Sequence, residues 1–138
     1  MVPRIAVMGC GYWGSNHVRT LKSLGALHAV SDRNEAKADG YAKDFSCLSL
    51  GVDEVFEHKE IDAIVLALPP QFHSEYAIRA MHCGKDVLVE KPIALTVPDA
   101  ELAVAISKST GRVFMVGHVL RFHPAFEKLL ALISAGEL

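Results

Sequence analysis

The sequence predicts an α/β domain: a doubly wound parallel sheet with helices on both faces, in three α/β/α layers. Two observations carry this expectation. Short apolar runs rich in β-branched residues alternate with longer amphipathic stretches along all 138 residues. The runs are apolar almost throughout, as strands covered on both faces should be, rather than alternating like half-solvated hairpin strands. Strand–helix alternation without hairpin signals implies right-handed parallel crossovers.

The elements follow in order. Arg4–Met8 reads as the first strand and 13–24 as the first helix. Leu27–Val30 is the second strand, followed by a helix over 34–45 whose part Glu35–Phe45 is polar enough for the surface. Ser46–Lys59 is the least legible segment, with a short third strand at Cys47–Leu50 and one helical turn. Ile61–Leu68 is a strand, 72–83 a helix, and Gly84 suits the left-handed position just past that helix. Asp86–Val89 and Val113–Val116 are strands on either side of a helix over 97–110. Thr96-Val-Pro-Asp99 opens that helix: Thr as N-cap, Pro in the first turn, Asp three residues after the cap. A last helix follows His123-Pro124, with Phe126, Leu129, Leu130 and Ile133 on one face. There is no repeat, low-complexity tract or Gly/Ser/Pro linker, so residues 1–138 read as one domain.

Composition excludes several function classes. Apolar residues make up 51% of the chain, which favours a folded globule over disorder. A formal charge of −2 without a Lys/Arg-rich block argues against nucleic acid or an anionic membrane as partner. No apolar run approaches the length of a bilayer span. The start, MVPRIAVMG, enters a strand directly and lacks a signal-peptide pattern. Cys10, Cys47 and Cys83 form no C-x-x-C pair and no zinc spacing, so reduced structural cysteines, no metal and a cytoplasmic location are expected.

Gly9-Cys10-Gly11-Tyr12-Trp13-Gly14 follows the first strand and opens the first helix. A lone G-x-G-x-x-G is weak, but here an acid, Asp32, ends the second strand 18 residues beyond Gly14. The expected division is a tight turn at Gly9, close backbone approach to a pyrophosphate at Gly11, and helix–strand packing at Gly14. The helix N-terminus, with Tyr12 and Trp13 in its first turn, offers N–H groups to the phosphates. Ser15 and Asn16 would help solvate them. Asp32 would accept from the adenosine ribose hydroxyls and repel a 2′-phosphate, which favours NAD over NADP. Arg33 beside it could stack on adenine or meet a 2′-phosphate, and as readily be a solvated arginine. These features specify a Rossmann-type dinucleotide-binding domain.

Three further segments go beyond a generic dinucleotide fold: Ala67-Leu-Pro-Pro-Gln-Phe-His73, Gly84-Lys-Asp-Val-Leu-Val-Glu-Lys-Pro92 and Val116-Gly-His-Val-Leu-Arg-Phe-His-Pro124. With GCGYWG and VSDRN, they make the chain resemble the glucose–fructose oxidoreductase/inositol dehydrogenase (Gfo/Idh/MocA) family, and within it the nucleotide-sugar 3-dehydrogenase branch. The resemblance runs the length of the chain and is most specific at Glu-Lys-Pro. It implies an NAD(P)-dependent oxidoreductase acting on a carbinol carbon of a sugar, cyclitol or nucleotide sugar, and a homo-oligomer. By position it implies that Lys91 is the catalytic lysine at the reacting hydroxyl, Glu90 lies near the nicotinamide-side ribose, and Pro92 follows a cis peptide bond. Leu68, Pro69 and His73 would flank the cofactor, and Arg121 would face the active site. The chain departs from the family's G-x-N-x-R-F pattern in reading Gly117-His-Val-Leu-Arg-Phe122.

The chemistry is consistent on its own terms. The cofactor carries the hydride, and a lysine at the C-terminal edge of a parallel sheet can accept or polarise the hydroxyl proton. Lys91 directly follows the strand Asp86–Val89. His73 has a structural reading as good as a cofactor-side one. His118 and His123, five residues apart, do not form a helical metal pair. A non-catalytic dinucleotide-sensing module would share the glycine turn and Asp32 but has no use for Lys91 in Glu-Lys-Pro. A methyltransferase would lack both that motif and Pro69-Pro70. The family's C-terminal, largely antiparallel substrate domain is not assignable within 1–138. The expectation for these residues alone is cofactor binding, little turnover, and self-association through apolar surface near the last strand and helix.

Overall fold

The computed structural model describes residues 2–138. Six strands and six helices alternate: β1 (Ile5–Met8), α1 (Tyr12–Ser23), β2 (Leu27–Ser31), α2 (Glu35–Phe45), β3 (Leu48–Ser49), α3 (Val52–Glu57), β4 (Ala63–Leu66), α4 (His73–His82), β5 (Asp86–Val89), α5 (Val97–Thr110), β6 (Phe114–Val116) and α6 (Pro124–Ser134). Short 3-10 turns, Pro70–Phe72 and Val119–Phe122, precede α4 and α6. The strands form one sheet in the order β3-β2-β1-β4-β5-β6, parallel at every pairing. The chain winds outward from β1 through β2 to β3, then returns to place β4 on the other side of β1. This reversal leaves a crevice at the carboxyl ends of β1 and β4, where ligands of such sheets bind.

Strand alternation divides the core between the two faces of the sheet. Ala6, Met8, Ile64, Leu66, Val87 and Val89 pack on one face against Phe56 and Ile61, and against Ala77, Ala80 and Met81 of α4. Val7, Val30 and Val65 pack on the other face against Val18 of α1 and Ala38 of α2. The three-layer arrangement follows directly from these two clusters.

Local chemistry sets the ends of the elements. The Asn34 side chain accepts from the Lys37 N–H, and Thr96 Oγ1 from the Asp99 N–H at 3.3 Å, as expected of an N-cap. Gly84, one residue past the Cys83 cap of α4, has φ +74°. β4 is shorter than the apolar run Ile61–Leu68 because polar side chains claim the backbone before it. The Asp62 carboxylate accepts from the Arg4 N–H at 2.7 Å, and the buried Lys85 Nζ donates to the carbonyls of Ile61 and His58, both at 2.7 Å. β6 starts at Phe114 because the Val113 N–H donates to Asp86 Oδ1 at 2.9 Å. In the segment 46–59, β3 is only two residues long and α3 begins where the Gly51 N–H meets Glu54 Oε2 at 2.7 Å. Among the described residues, no helix is long and apolar enough to cross a membrane.

A side chain at Gly14 tests how α1 is seated. A Cβ there would overlap the Gly9 carbonyl oxygen, a backbone atom with no rotamer to change. Alanine ordinarily gains about 1 kcal/mol over glycine inside a helix. Forced overpacking costs about 1–3 kcal/mol, and at a backbone–backbone contact the upper end applies. Gly14→Ala is therefore expected to lower stability by about 1–2 kcal/mol net, read as a fall in the urea midpoint with an unchanged slope.

Candidate functional site

The glycine turn forms one end of the crevice. At the close of β1 the Gly9 N–H donates to the Ser31 carbonyl at 2.7 Å, and Gly9 adopts φ +93°, which favours glycine. A Cβ at Gly9 would overlap the Ala67 carbonyl oxygen, so Gly9 is held between β1 and the loop after β4. Gly11 differs: a Cβ there would meet nothing within 4 Å. The space beside Gly11 is the cleft itself, so the protein's own packing does not require glycine there.

α1 starts at Tyr12 with no side-chain cap and no acid in its first turn, whereas α2 and α5 carry both. Its N-terminal partial positive charge is left for a ligand anion. Asp32, just past β2, is half-buried and held at both oxygens: Oδ2 accepts from the Cys10 N–H at 2.7 Å and Oδ1 from the Asn34 N–H at 2.9 Å. The Cys10 thiol lies behind the turn, 1% exposed, and burial, then the charge of Asp32, pushes its pKa up to about 11. It is a packing residue and not a nucleophile at neutral pH.

A single cleft of about 1030 Å³ joins these groups to the other end of the sheet edge. Its walls include Gly9, Gly11, Tyr12, Trp13, Asp32 and Arg33 on one side, and Leu68, Pro69, Glu90 and Lys91 on the other. Tyr12 is 81% exposed and Trp13 42% exposed, packed edge to face with centroids 5.7 Å apart. Lys91 is exposed, and the Lys91–Pro92 peptide bond is cis, as the Glu-Lys-Pro resemblance implies. Glu90 is buried at 6% exposure, and its Oε1 lies 2.7 Å from His17 Nε2. His17, on α1, is a site residue that the sequence analysis did not single out. Its signal is the spacing Gly14-x-x-His17, which puts both residues on the same helix face.

Three expected site residues lie elsewhere. His73 does not line the cleft: it is fully buried, with Nδ1 2.7 Å from the Pro92 carbonyl and Nε2 2.8 Å from the Leu68 carbonyl. It joins the two loops that carry Leu68 and Lys91. Pro92 is exposed and enters the cleft wall only through its neighbour. Arg121 is not brought into the cleft. After β6 the Gly117 N–H closes on the Val89 carbonyl at 2.8 Å, and the chain leaves through the exposed turn Val119–Phe122, flanked by exposed His118 and His123. Among the described residues no cluster of His, Cys, Asp and Glu could hold a metal.

The donor set fits a dinucleotide. It offers an open glycine at an uncapped helix N-terminus for the phosphates, a fixed carboxylate at one end for ribose hydroxyls, and an elongated cleft between them. Comparison with known proteins agrees. Residues 3–118 match the family model for the Gfo/Idh/MocA oxidoreductase family, NAD-binding Rossmann fold. The chain is 38% identical over 139 residues to 4-carboxy-2-hydroxymuconate-6-semialdehyde dehydrogenase of Sphingobium sp., an alignment covering 98% of this chain and 44% of that protein. It is 34% identical over 140 residues to scyllo-inositol 2-dehydrogenase (NAD(+)) of Bacillus subtilis, covering 98% and 41% respectively. Among solved structures it superimposes with a TM-score of 0.90 and 25% identity on KijD10, a 3-ketoreductase of Actinomadura kijaniata in complex with TDP-benzene and NADP, covering 99% of this chain and 44% of that one. The chain thus spans less than half the length of these relatives. The chain belongs to the Gfo/Idh/MocA oxidoreductase family, and residues 3–118 form its NAD(P)-binding Rossmann-fold domain.

Proposed function

We propose that the chain is the cofactor-binding part of an oxidoreductase that moves hydride between NAD and a carbinol carbon of a sugar, cyclitol or nucleotide sugar. The observation that carries this reading is the position of Lys91, an exposed amine on the same cleft as Gly11 and Asp32 but at the opposite end. When bound, the nicotinamide supplies the hydride acceptor or donor. Gly9, Gly11 and the first turn of α1, with Tyr12 and Trp13, hold the pyrophosphate. Leu68 and Pro69 flank the cofactor on the β4 side, and Glu90 stands at the nicotinamide end. Lys91 Nζ accepts or polarises the hydroxyl proton of the substrate. His73 supports the site from beneath by fixing both loops. Arg121 is assigned to the substrate side, outside the cofactor cleft. The nucleotide-sugar 3-dehydrogenase branch is the finer reading of substrate, supported by the GCGYWG and GHVLRFHPAF segments.

NAD is the proposed cofactor, because the Asp32 carboxylate cannot swing aside. Two backbone N–H groups anchor it, and a 2′-phosphate would have to sit against its charge. Arg33 is exposed and solvent-screened, so it offsets little of that repulsion. Calorimetric titration should show tighter binding of NAD than NADP. Asp32→Ala should weaken NAD about tenfold, the cost of one or two hydrogen bonds to a charged acceptor, and narrow the gap to NADP. Tighter NADP binding by the unaltered chain would transfer the leading role to Arg33.

In the enzyme carrying this domain, Lys91→Met should lower kcat about 10²–10⁴-fold while leaving the NAD Kd within about twofold. An unchanged kcat would remove Lys91 from the chemistry, whereas no turnover by the unaltered enzyme on any carbinol substrate would favour a dinucleotide-sensing role. The 138 residues alone should bind cofactor with little turnover, since substrate positioning can supply several kcal/mol of barrier lowering. They should also self-associate into a homo-oligomer. Val113 just before β6, Met115 within it, and Leu129, Leu130 and Ile133 on α6 are all exposed. Light scattering across a concentration series reads this directly, and a monomer throughout would refute it.

A further inference from the structure

Glu90 is the one buried carboxylate of the cleft, and its surroundings hold it in a single pose. The Glu90 N–H continues the sheet ladder by donating to the Leu66 carbonyl at 3.0 Å. Its side chain then turns toward α1, where Oε1 meets His17 Nε2 at 2.7 Å. Behind the carboxylate, Gly117 follows β6. An ideal Cβ at Gly117 would sit 3.2 Å from Glu90 Oε2 and 3.3 Å from both the carboxyl carbon and Oε1. Gly117 is not in a left-handed conformation, so its backbone does not require glycine. A methyl group there would instead press the Glu90 carboxylate back by a few tenths of an ångström. Three elements far apart in sequence thus converge on one anion: β5 supplies it, α1 donates to it, and the turn after β6 leaves room for it.

We propose that His17 is a positioning residue, and that the carboxylate it fixes makes this cleft prefer the oxidised, cationic nicotinamide over the neutral reduced ring. The inference rests on the reading of the cleft as a dinucleotide site with Asp32 at the adenosine end. From Asp32 the cleft passes the pyrophosphate turn at Gly11 and then Leu68, and ends at Glu90 and Lys91. A buried charge acts through a lower effective dielectric than an exposed one. Glu90, at 6% exposure, therefore discriminates between a cationic and a neutral ring more strongly than the solvated groups around it. The hydrogen bond from His17 keeps that charge from rotating back toward solvent. The second carboxylate oxygen lies against Gly117, where a methyl group would push it out of place.

The test compares ligands that differ only at the nicotinamide end. Dissociation constants for NAD⁺, NADH and ADP are measured at pH 8.5 for the unaltered chain and for His17→Gln, His17→Leu, Gly117→Ala and Glu90→Gln. Glutamine can present a neutral N–H donor near the position of His Nε2, and leucine cannot. Glu90→Gln should shift the NAD⁺/NADH affinity ratio toward NADH by about tenfold. His17→Leu and Gly117→Ala should shift it the same way by about threefold, with His17→Gln within twofold of the unaltered chain. ADP, which lacks the ribose beside Glu90, should bind with constant affinity throughout, which also reports an intact fold. An unchanged ratio in both His17→Leu and Gly117→Ala overturns the proposal, as does His17→Gln behaving like His17→Leu. Absence of ADP and NAD⁺ binding by the unaltered chain is a different failure, that of the dinucleotide reading itself.

Discussion

Gly14 lies against the carbonyl of Gly9, and Gly9 in turn lies against the carbonyl of Ala67. No side chain fits between them. This contact seats α1 hard on the ends of β1 and β4 and so fixes where its N-terminus points. It sits at the place where the strand order reverses, the one point along the edge where the crevice is open. Cys10 completes the lock: its N–H is tied to Asp32, which stiffens the turn and orients the carboxylate at once. The N-terminal end of α1 and the Asp32 carboxylate are therefore one rigid unit. Neither could shift without opening the packing of β1, α1 and β2 behind them.

The other wall is built differently, from loops rather than from close glycine contacts. The loop after β4 and the loop after β5 would be free to move apart if only the strands below them held them. His73 prevents this from within α4, meeting a carbonyl oxygen of each loop with one ring nitrogen. A neutral ring donates to only one of the two carbonyls at a time, and such a bond is worth only about 1 kcal/mol in net stability. The importance of the two contacts is geometric, since breaking either would leave a polar atom of a fully buried ring without a partner. At the opposite edge of the sheet Lys85 plays a comparable part, its buried ammonium bridging the carbonyls of His58 and Ile61. Buried cationic or ring donors on backbone carbonyls thus secure the irregular segments at both ends of the strands.

Much of this was legible in the sequence because it is local. The turn Gly9–Gly14 and the cap at Thr96 depend on residues a few positions apart, Asp32 stands at a recognisable 18-residue spacing from Gly14, and the strands of the central sheet are mostly apolar. Segment 46–59 was hard to read because it has little local signal. β3 is two exposed residues paired with β2, and α3 is a six-residue helix started by one glutamate. Asp62 and Lys85 shortened β4 through contacts that no periodicity encodes. His73 was recognised as a site residue, but its burial beneath the loops depends on α4 packing against β5. His17 escaped because its partner, Glu90, is 73 residues away. Arg121 was placed by motif alone, and the turn at Gly117 carries it into solvent.

The juxtaposition of Glu90 and Lys91 follows from strand geometry. Side chains alternate along an extended backbone, so neighbours at the end of β5 leave it on opposite sides. Glu90 continues the sheet register and is drawn inward, buried between α1 and the turn after β6. Lys91 is turned outward into the mouth of the cleft. One strand end thus presents a fixed, desolvated anion and a mobile, solvated cation within a residue of each other. Burial suits the first to a constant electrostatic task, because a charge held away from water is screened least. Exposure leaves the second within reach of both the cleft and water. Reversing the order to Lys-Glu would bury the flexible amine among β5, α1 and Gly117 without a carboxylate to pair it, and that cost explains why the acid comes first.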